Sequence, residues 1–206
     1  MKEFWDERFK DEKYAYGTAP NNFFKEVLDS YPLKGNILLP AEGEGRNAIY
    51  AAEKGLNVHA FDISIEGKNK AEKLAQKRNV KINYEIGDFP NLELSKLSFD
   101  VAALIYAHFP PNILSAYHKK IGELIKPNGI VILEGFSKNN LPLREANPKI
   151  GGPPNIDMLF SIEEIKKDFS NFKIIKLEEQ EVELNEGMFH IGTGKVVRFI
   201  GIKNNS

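Results

Sequence analysis

The stretch Ile37-Leu38-Leu39-Pro40-Ala41-Glu42-Gly43-Glu44-Gly45-Arg46-Asn47-Ala48 constrains the fold of this 206-residue chain more than any other. A short apolar run stops at a proline, two glycines follow one residue apart, and an alanine-rich helical pattern starts at Arg46. Proline donates no backbone hydrogen bond, so Pro40 has to lie at the very end of its strand, where no ladder partner is needed. Glycines at a strand-to-helix junction let the backbone come close to a ligand. The strand-then-helix order recurs downstream. Val58–Asp62 reads as a strand before a helix at Glu66–Arg78, and Ile82–Ile86 as a strand before Gly87-Asp88-Phe89. Phe99–Tyr106 precedes a helix at Asn112–Ile125, and Lys126-Pro127-Asn128-Gly129 turns the chain into a strand at Ile130–Gly135. Short apolar strands alternating with helices predict a parallel sheet covered on both faces and wound right-handed.

The flanks follow other patterns. Residues 1–34 are amphipathic in helical pieces, with Phe4, Trp5 and Phe9 first and Phe23, Phe24, Val27 and Leu28 later, separated by the breaker segment Tyr14–Pro20. Residues 137–157 read as a loop rich in proline and glycine. Ser161 and Glu164 form a capping box at the start of a helix. Two extended runs, Phe172–Leu184 and Lys195–Lys203, are predicted to pair as an antiparallel hairpin. The expected architecture is α/β: a Rossmann-like, doubly wound, mostly parallel seven-stranded sheet that ends in an antiparallel hairpin, with an N-terminal helical segment. One domain spans residues 1–206, with a helical cover at 1–34, a cofactor-binding half at 35–136 and a substrate-side part at 137–206.

Composition narrows the function. The formal net charge is −1, so the chain lacks the basic excess of a nucleic-acid binder. The lysines between Lys68 and Lys81 are interspersed with glutamates on a helical pattern and read as a solvated face. Cysteine is absent, which excludes disulfides, thiolate zinc sites and a cysteine nucleophile, and fits a reducing cytoplasm. The four histidines have no metal-ligand spacing, so no metal is expected. No apolar leader opens the chain, and no apolar run approaches the roughly 20 residues a membrane span needs. A cytoplasmic protein without membrane or nucleic-acid partners is expected; nothing in the pattern specifies an oligomer.

Gly43-Glu44-Gly45-Arg46-Asn47-Ala48 matches G-x-G-x-x-A, a fingerprint that suits either a nicotinamide dinucleotide or S-adenosylmethionine. Asp62 ends the second strand, where a carboxylate can accept from ribose hydroxyls. Asp88 follows the third strand and can accept from an adenine amino group, with Phe89 against the ring. A dehydrogenase usually carries a separate substrate domain, for which no residues remain.

The closer resemblance rests on Trp5-Asp6-Glu7-Arg8-Phe9, Tyr16-Gly17-Thr18, Gly43-Glu44-Gly45-Arg46-Asn47, Phe61-Asp62-Ile63-Ser64, Lys126-Pro127-Asn128-Gly129 and Gly151-Gly152-Pro153. On these the chain resembles class I S-adenosylmethionine-dependent methyltransferases, and within them the tellurite-resistance-type and thiopurine-methyltransferase-like branch. The resemblance implies S-adenosylmethionine as cofactor and methyl transfer to a small-molecule acceptor, a thiol, a thiopurine-like compound or a chalcogen oxyanion. It implies cofactor contacts from Ala41, Glu42, Gly43, Gly45, Asn47, Asp62, Ile63, Asp88 and Phe89. One departure matters: where the family has an acidic residue, an apolar residue and a glycine, this chain has Leu39, Pro40 and Ala41. Glu42 is expected to reach the cofactor's ammonium instead. Two alternatives stay open, a non-catalytic cofactor-binding relative and a nicotinamide-dependent oxidoreductase.

The fourth strand delivers Tyr106 and His108 to the mouth of the site as catalytic candidates, with His108 either a general base or a structural residue. Tyr16, Arg144 and His190 are expected to meet the acceptor. His190 and Lys195 flank the last strand's start, Trp5, Tyr14 and Tyr16 are candidates for an aromatic lid, and residues 137–157 for a cover that closes over the cleft. His59 and His118 read as structural.

Overall fold

The computed structural model describes residues 1–92, 94 and 98–205. Seven strands, β1 (Asn36–Pro40), β2 (Asn57–Asp62), β3 (Asn83–Ile86), β4 (Phe99–Ile105), β5 (Ile125–Phe136), β6 (Phe172–Glu186) and β7 (His190–Lys203), form one sheet in the order β3-β2-β1-β4-β5-β7-β6. The first five run parallel, and β7 lies antiparallel between β5 and β6. Pro40 closes β1: it stands opposite Phe61 of β2, and the pairing with β4 covers only Ile37 and Leu38, so its missing donor costs nothing.

Side chains alternate across the sheet with period two, and the burial follows. Ile37, Leu39, Val58, Ala60, Val101 and Ala103 enter one core with Phe24 and Val27 of α2 (Asn22–Ser30) and with α3 (Arg46–Glu53) and α4 (Ile65–Arg78). Leu38, Phe61, Ala102, Leu104, Val131 and Leu133 face the other core, against Leu114 and Ile121 of α5 (Pro111–Leu124) and Ile165 of α7 (Ile162–Asp168). The capping box is present, with Ser161 Oγ accepting from Glu164 N at 3.3 Å and donating to its carboxylate at 2.8 Å. The Lys126–Gly129 turn survives inside β5 as a register shift: Phe99 opposes Ile125, but Val101 already opposes Ile130.

Two segments differ from the sequence expectation. The hairpin is longer, paired without a gap from Leu177 opposite Phe199 to Glu186 opposite His190. Gly192 and Gly194 look like breakers, yet they sit in β7 because other chain fills the space a side chain would take. A Cβ on Gly194 would lie 2.9 Å from Leu184 Cδ1, and one on Gly192 3.3 Å from Asn147 Nδ2. Since β5 pairs with β7 only as far as Val196, the tip of the hairpin projects beyond the parallel sheet.

The segment 137–157 is not an open loop either. It holds the short helix α6 (Leu141–Ala146), begun at a proline-tolerant first turn, and 3-10 turns at Lys138–Asn140, Pro148–Ile150 and Ile156–Met158. Fully buried Asn140 seats it, donating to the Gly151 carbonyl at 3.3 Å and accepting from Lys195 N at 2.9 Å. Ile150 packs into a small core with Phe136, Leu159, Leu184 and Val196.

Gly45 caps α3 at φ +87°, and a Cβ there would stand 2.5 Å from Ala71 Cβ on α4. Its glycine is required by helix packing as well as by conformation. Gly45→Ala should therefore lower stability by more than about 1 kcal/mol, read as a drop in the urea midpoint with unchanged slope.

Candidate active site

The carboxyl ends of β1, β2 and β4 open into a cavity of about 840 Å³. Its far walls are α1 (Lys2–Phe9), the hairpin tip and residues 148–154, so the N-terminal helix and the substrate-side segment both roof the sheet edge. A cavity of this size suits a nucleotide-sized ligand together with a small second molecule.

At one end stand the glycine loop and two carboxylates. Asp62 is buried, its Oδ2 accepting from Gly43 N at 3.0 Å and its Oδ1 from Ser64 N at 2.9 Å. Burial pushes its pKa up against those two donors. Each oxygen keeps a lone pair for a ligand hydroxyl. Asp88 is exposed at the cavity wall, and its Oδ1 receives Phe89 N at 2.9 Å and the Tyr117 hydroxyl at 3.0 Å. Ile63, Ala41 and Asn47 also line this end.

Phe89 and Gly45 do not. Phe89 turns into the core and stacks on Phe61 at 5.7 Å, because the 3-10 turn that starts at Phe89 carries its ring beneath the sheet edge. The apolar face beside Asp88 is supplied by Ile86 and Ile113.

Glu42 has a structural role beside the one expected of it. Its Oε1 accepts from Asn47 N at 2.8 Å and Ala48 N at 2.7 Å, capping α3 where Gly45 has no side chain to do so. Its Oε2 makes no hydrogen bond with the described residues. Burial raises its pKa to about 7 in spite of the two backbone donors. The carboxylate thus stands at the cavity wall with one oxygen committed and one open.

His108 is a clamp rather than a base. Nδ1 donates to the Met158 carbonyl at 2.8 Å and Nε2 accepts from Phe136 N at 3.1 Å, so neither nitrogen is left for a substrate proton. Burial drives its pKa down to about 4, only partly offset by the Met158 bond. Tyr106 ends β4 in the left-handed region, φ +54°, with its N–H held by the Glu134 carbonyl at 2.7 Å. Its ring reaches the cavity, whereas its hydroxyl is enclosed without a hydrogen-bond partner among the described residues. Burial, reinforced by the Glu134 and Glu186 charges, raises the phenol well above its ordinary range and keeps its proton on.

Behind Tyr106 lies a network that the sequence reading missed. Glu186 at the hairpin tip accepts from Arg46 Nη2 at 2.9 Å, Asn21 Nδ2 at 3.2 Å and His190 Nδ1 at 2.9 Å. Asn21 also donates to Glu134 at 2.6 Å, whose other oxygen accepts from Arg198 Nε at 2.5 Å. Burial opposes ionisation of Glu186, but His190 and Arg46 outweigh it and hold the carboxyl at about 2. The one available signal was Glu134, a lone acid in the apolar run Val131–Phe136.

The other candidates divide. Tyr16 lines the cavity, its ring 4.5 Å from His190 and its hydroxyl bonded to Arg8 at 3.0 Å. Arg144 lines it too, with Nε on the Gly152 carbonyl at 2.8 Å. Trp5 both lines it and stacks on Phe9 at 5.3 Å. Tyr14 bonds the Lys70 carbonyl instead, and Lys195 faces Glu181 at 3.9 Å on the hairpin; neither is at the cavity wall. His118 binds Asp168 at 2.8 Å in the core, and His59 lies edge-on to Phe99, both in packing roles. No helix among the described residues is long and apolar enough to cross a membrane.

The clamp has a pH signature. A histidine whose folded pKa lies below its unfolded value of about 6.5 contributes stability above that value, lost as pH falls toward the folded pKa. Unfolding free energy should therefore fall between about pH 6.5 and 4, and His108→Gln should flatten that slope. Urea titrations across this window check it.

Residues 37–129 match the sequence family described as a methyltransferase domain. No curated protein sequence matches the chain significantly. Among solved structures, one described as conversion of a disulfide bond into a thioacetal group during echinomycin biosynthesis is similar at 16% identity and TM-score 0.77, covering 100% of this chain and 94% of its own. TehB from Haemophilus influenzae is similar at 14% identity and TM-score 0.70, over 98% of this chain and 67% of its own. Magnesium protoporphyrin IX methyltransferase from Synechocystis, solved with bound SAH, is similar at 16% identity and TM-score 0.71, over 98% of both chains. With the seven-stranded mixed sheet, the glycine loop and the cavity at its edge, the chain has the fold of the S-adenosylmethionine-dependent methyltransferases, and its residues 37–129 match a methyltransferase-domain family.

Proposed function

We propose that the protein transfers a methyl group from S-adenosylmethionine to a small-molecule acceptor bound in the same cavity. The observation that carries this is the convergence of Asp62 and Asp88 with the Gly43 loop on one cavity, inside the segment that matches a methyltransferase domain. Asp62 would receive the ribose hydroxyls, Asp88 the adenine amino group, and Ile63, Ile86 and Ile113 the faces of the base. Asn47 and the backbone from Ala41 to Gly43 would border the methionine part. At the opposite end Tyr16, Arg144 and His190 would meet the acceptor, of the thiol, thiopurine-like or chalcogen type that the branch resemblance suggests.

A sulfonium supplies an activated methyl group, so the protein's chief work is alignment and exclusion of water, for which positioning can contribute roughly 7 to 11 kcal/mol. The roof of α1, the hairpin tip and residues 148–154 serves that end. A second reading, cofactor binding without transfer, is favoured by one observation. The acidic position at the end of β1 is Leu39, fully buried, and Glu42 spends one oxygen as a helix cap.

Calorimetry with S-adenosylhomocysteine should show binding, and Asp88→Ala should weaken it about tenfold or more, the worth of a hydrogen bond to a charged group. A folded sample that binds reduced nicotinamide dinucleotide and not S-adenosylhomocysteine would reverse the assignment. Glu42 provides a second test. An ammonium prefers the ionised carboxylate, so affinity should rise as pH passes through about 7, and Glu42→Gln, which can still cap α3, should abolish the rise.

A further inference from the structure

We propose that His190, held by Glu186, takes the acceptor's proton, and that the acceptor is a flat, largely apolar molecule entering with an O–H or ring N–H. This rests on the methyltransferase reading and, for the same site, replaces the soft thiol or chalcogen acceptor of the branch resemblance with a protic one. Glu186 and His190 face each other as the last cross-strand pair of the β6–β7 hairpin, so the turn geometry itself builds the dyad. The 2.9 Å bond from Nδ1 to Glu186 Oε2 fixes the Nδ1–H tautomer, which leaves a lone pair on Nε2. Nε2 has no hydrogen-bond partner among the described residues, and it is not one of the fully enclosed unpartnered atoms, which are Tyr106 Oη, His118 Nε2 and Ser137 Oγ. The imidazole lines the cavity.

Gly151 keeps that edge clear. At φ +90° it brings only backbone past the ring, and a Cβ would sit 2.6 Å from His190 Cδ2 and 3.0 Å from Nε2. His108, with both nitrogens spent on backbone, shows by contrast what a purely structural histidine looks like here.

The surroundings suit a base that starts neutral. His190 is faced by Glu186 on β6, Arg46 on α3, Arg8 on α1, Tyr16 in the loop after α1, Tyr106 at the end of β4 and His108 beyond it. Burial lowers its pKa, the Glu186 carboxylate pulls it back up, and the Arg46 and Arg8 charges add to the lowering. Around the open edge the cavity is walled by Tyr16, Phe136, Phe189, Pro148 and Pro153, flat surfaces that fit a flat partner.

In the step, the acceptor's oxygen or nitrogen attacks the sulfonium methyl carbon as the S–CH₃ bond breaks and its electron pair returns to sulfur. The acceptor's proton passes to Nε2, and the resulting imidazolium is held by Glu186. A pre-ionised soft anion needs none of this. Glu186 is a positioning residue, His190 the catalytic one.

The test pairs spectroscopy with two probes. Nitrogen-15 NMR of the free protein, with His190→Gln identifying the signal, should show Nδ1 protonated and Nε2 bare; an Nε2–H tautomer overturns the dyad. With S-adenosylmethionine, 8-hydroxyquinoline serves as the O–H probe and thiophenolate as the pre-ionised one. His190→Gln, which can still donate to Glu186, should slow transfer to the hydroxyl by about 10² or more and remove the acid limb of its pH profile. The affinity for S-adenosylhomocysteine should stay within about twofold, and transfer to thiophenolate should fall at least about tenfold less than transfer to the hydroxyl. Glu186→Gln should shift the acid limb of the hydroxyl reaction downward, because it removes the charge that raises the imidazole. Equal losses on both probes, or transfer to thiophenolate but not to the hydroxyl in the unaltered protein, overturn the proposal. Absence of S-adenosylhomocysteine binding would instead sink the donor reading and this step with it, whereas binding with Nε2 protonated sinks the dyad alone.

Discussion

Two carboxylates, buried Glu134 and half-buried Glu186, hold the site together. Ions taken out of water cost several kcal/mol each unless partners compensate them. Here two arginines answer two glutamates, and Asn21 bridges the pair while its own carbonyl oxygen caps α2. The elements so joined are α2, α3, β5, β6 and β7, which come from both ends and the middle of the chain. The arrangement fixes where β7 lies against β5, and with it the distance from the hairpin tip to the sheet edge. Asn47 adds a link, its Oδ1 accepting from Asn21 N at 2.9 Å, so the glycine loop is tied to the same frame.

A second buried ion pair works on the other side of that loop. Glu44 accepts from Lys70 at 2.6 Å and from Ala15 N at 2.8 Å, and Lys70 also donates to the Asp11 and Lys13 carbonyls. The residue between the two loop glycines therefore anchors the N-terminal cover. Glu42 caps α3 and Asp62 receives Gly43 N. Each acidic residue near the fingerprint thus spends part of its hydrogen-bonding capacity on loop shape before any ligand arrives. The departure at Leu39-Pro40-Ala41 is legible in this light. A loop braced by Glu42 and Glu44 keeps its conformation without a carboxylate at the strand end.

The sheet was readable because its signals are local: Ile37-Leu38-Leu39 alternates between two cores, and Asp62 and Asp88 follow their strands at fixed offsets. The hairpin runs beyond the two extended runs of the sequence because β7 continues through Gly192 and Gly194, which admit Asn147 and Leu184. His108 was legible in place, and of the two roles left open for it the structure has the backbone-bonding one. Its partners are Phe136 and Met158, and the distance in sequence to Met158 hides the bond that occupies Nδ1. Phe89 was misplaced for a related reason, since its 3-10 turn answers to the Phe61 and Tyr117 rings. Glu186 sat in a stretch, Asn185-Glu186-Gly187, that has the composition of any exposed turn.

Gly187 sits at φ +64° at the hairpin tip, where a side-chain carbon would stand 2.4 Å from the Ala15 carbonyl oxygen, and Met188 N bonds that same oxygen at 2.8 Å. Contacts between segments so far apart in sequence are the expensive ones to close during folding, because the intervening loop has to be ordered first. On the ribosome the strand-helix units that carry Asp62 and Asp88 are made long before the hairpin. The glycine-loop end of the cavity can thus take shape early, while the opposite end waits for the tip to dock on Ala15. The order of synthesis separates the two ends of the cavity in time: a chain caught midway has the Asp62 and Asp88 end laid out and lacks the walls that the hairpin tip supplies.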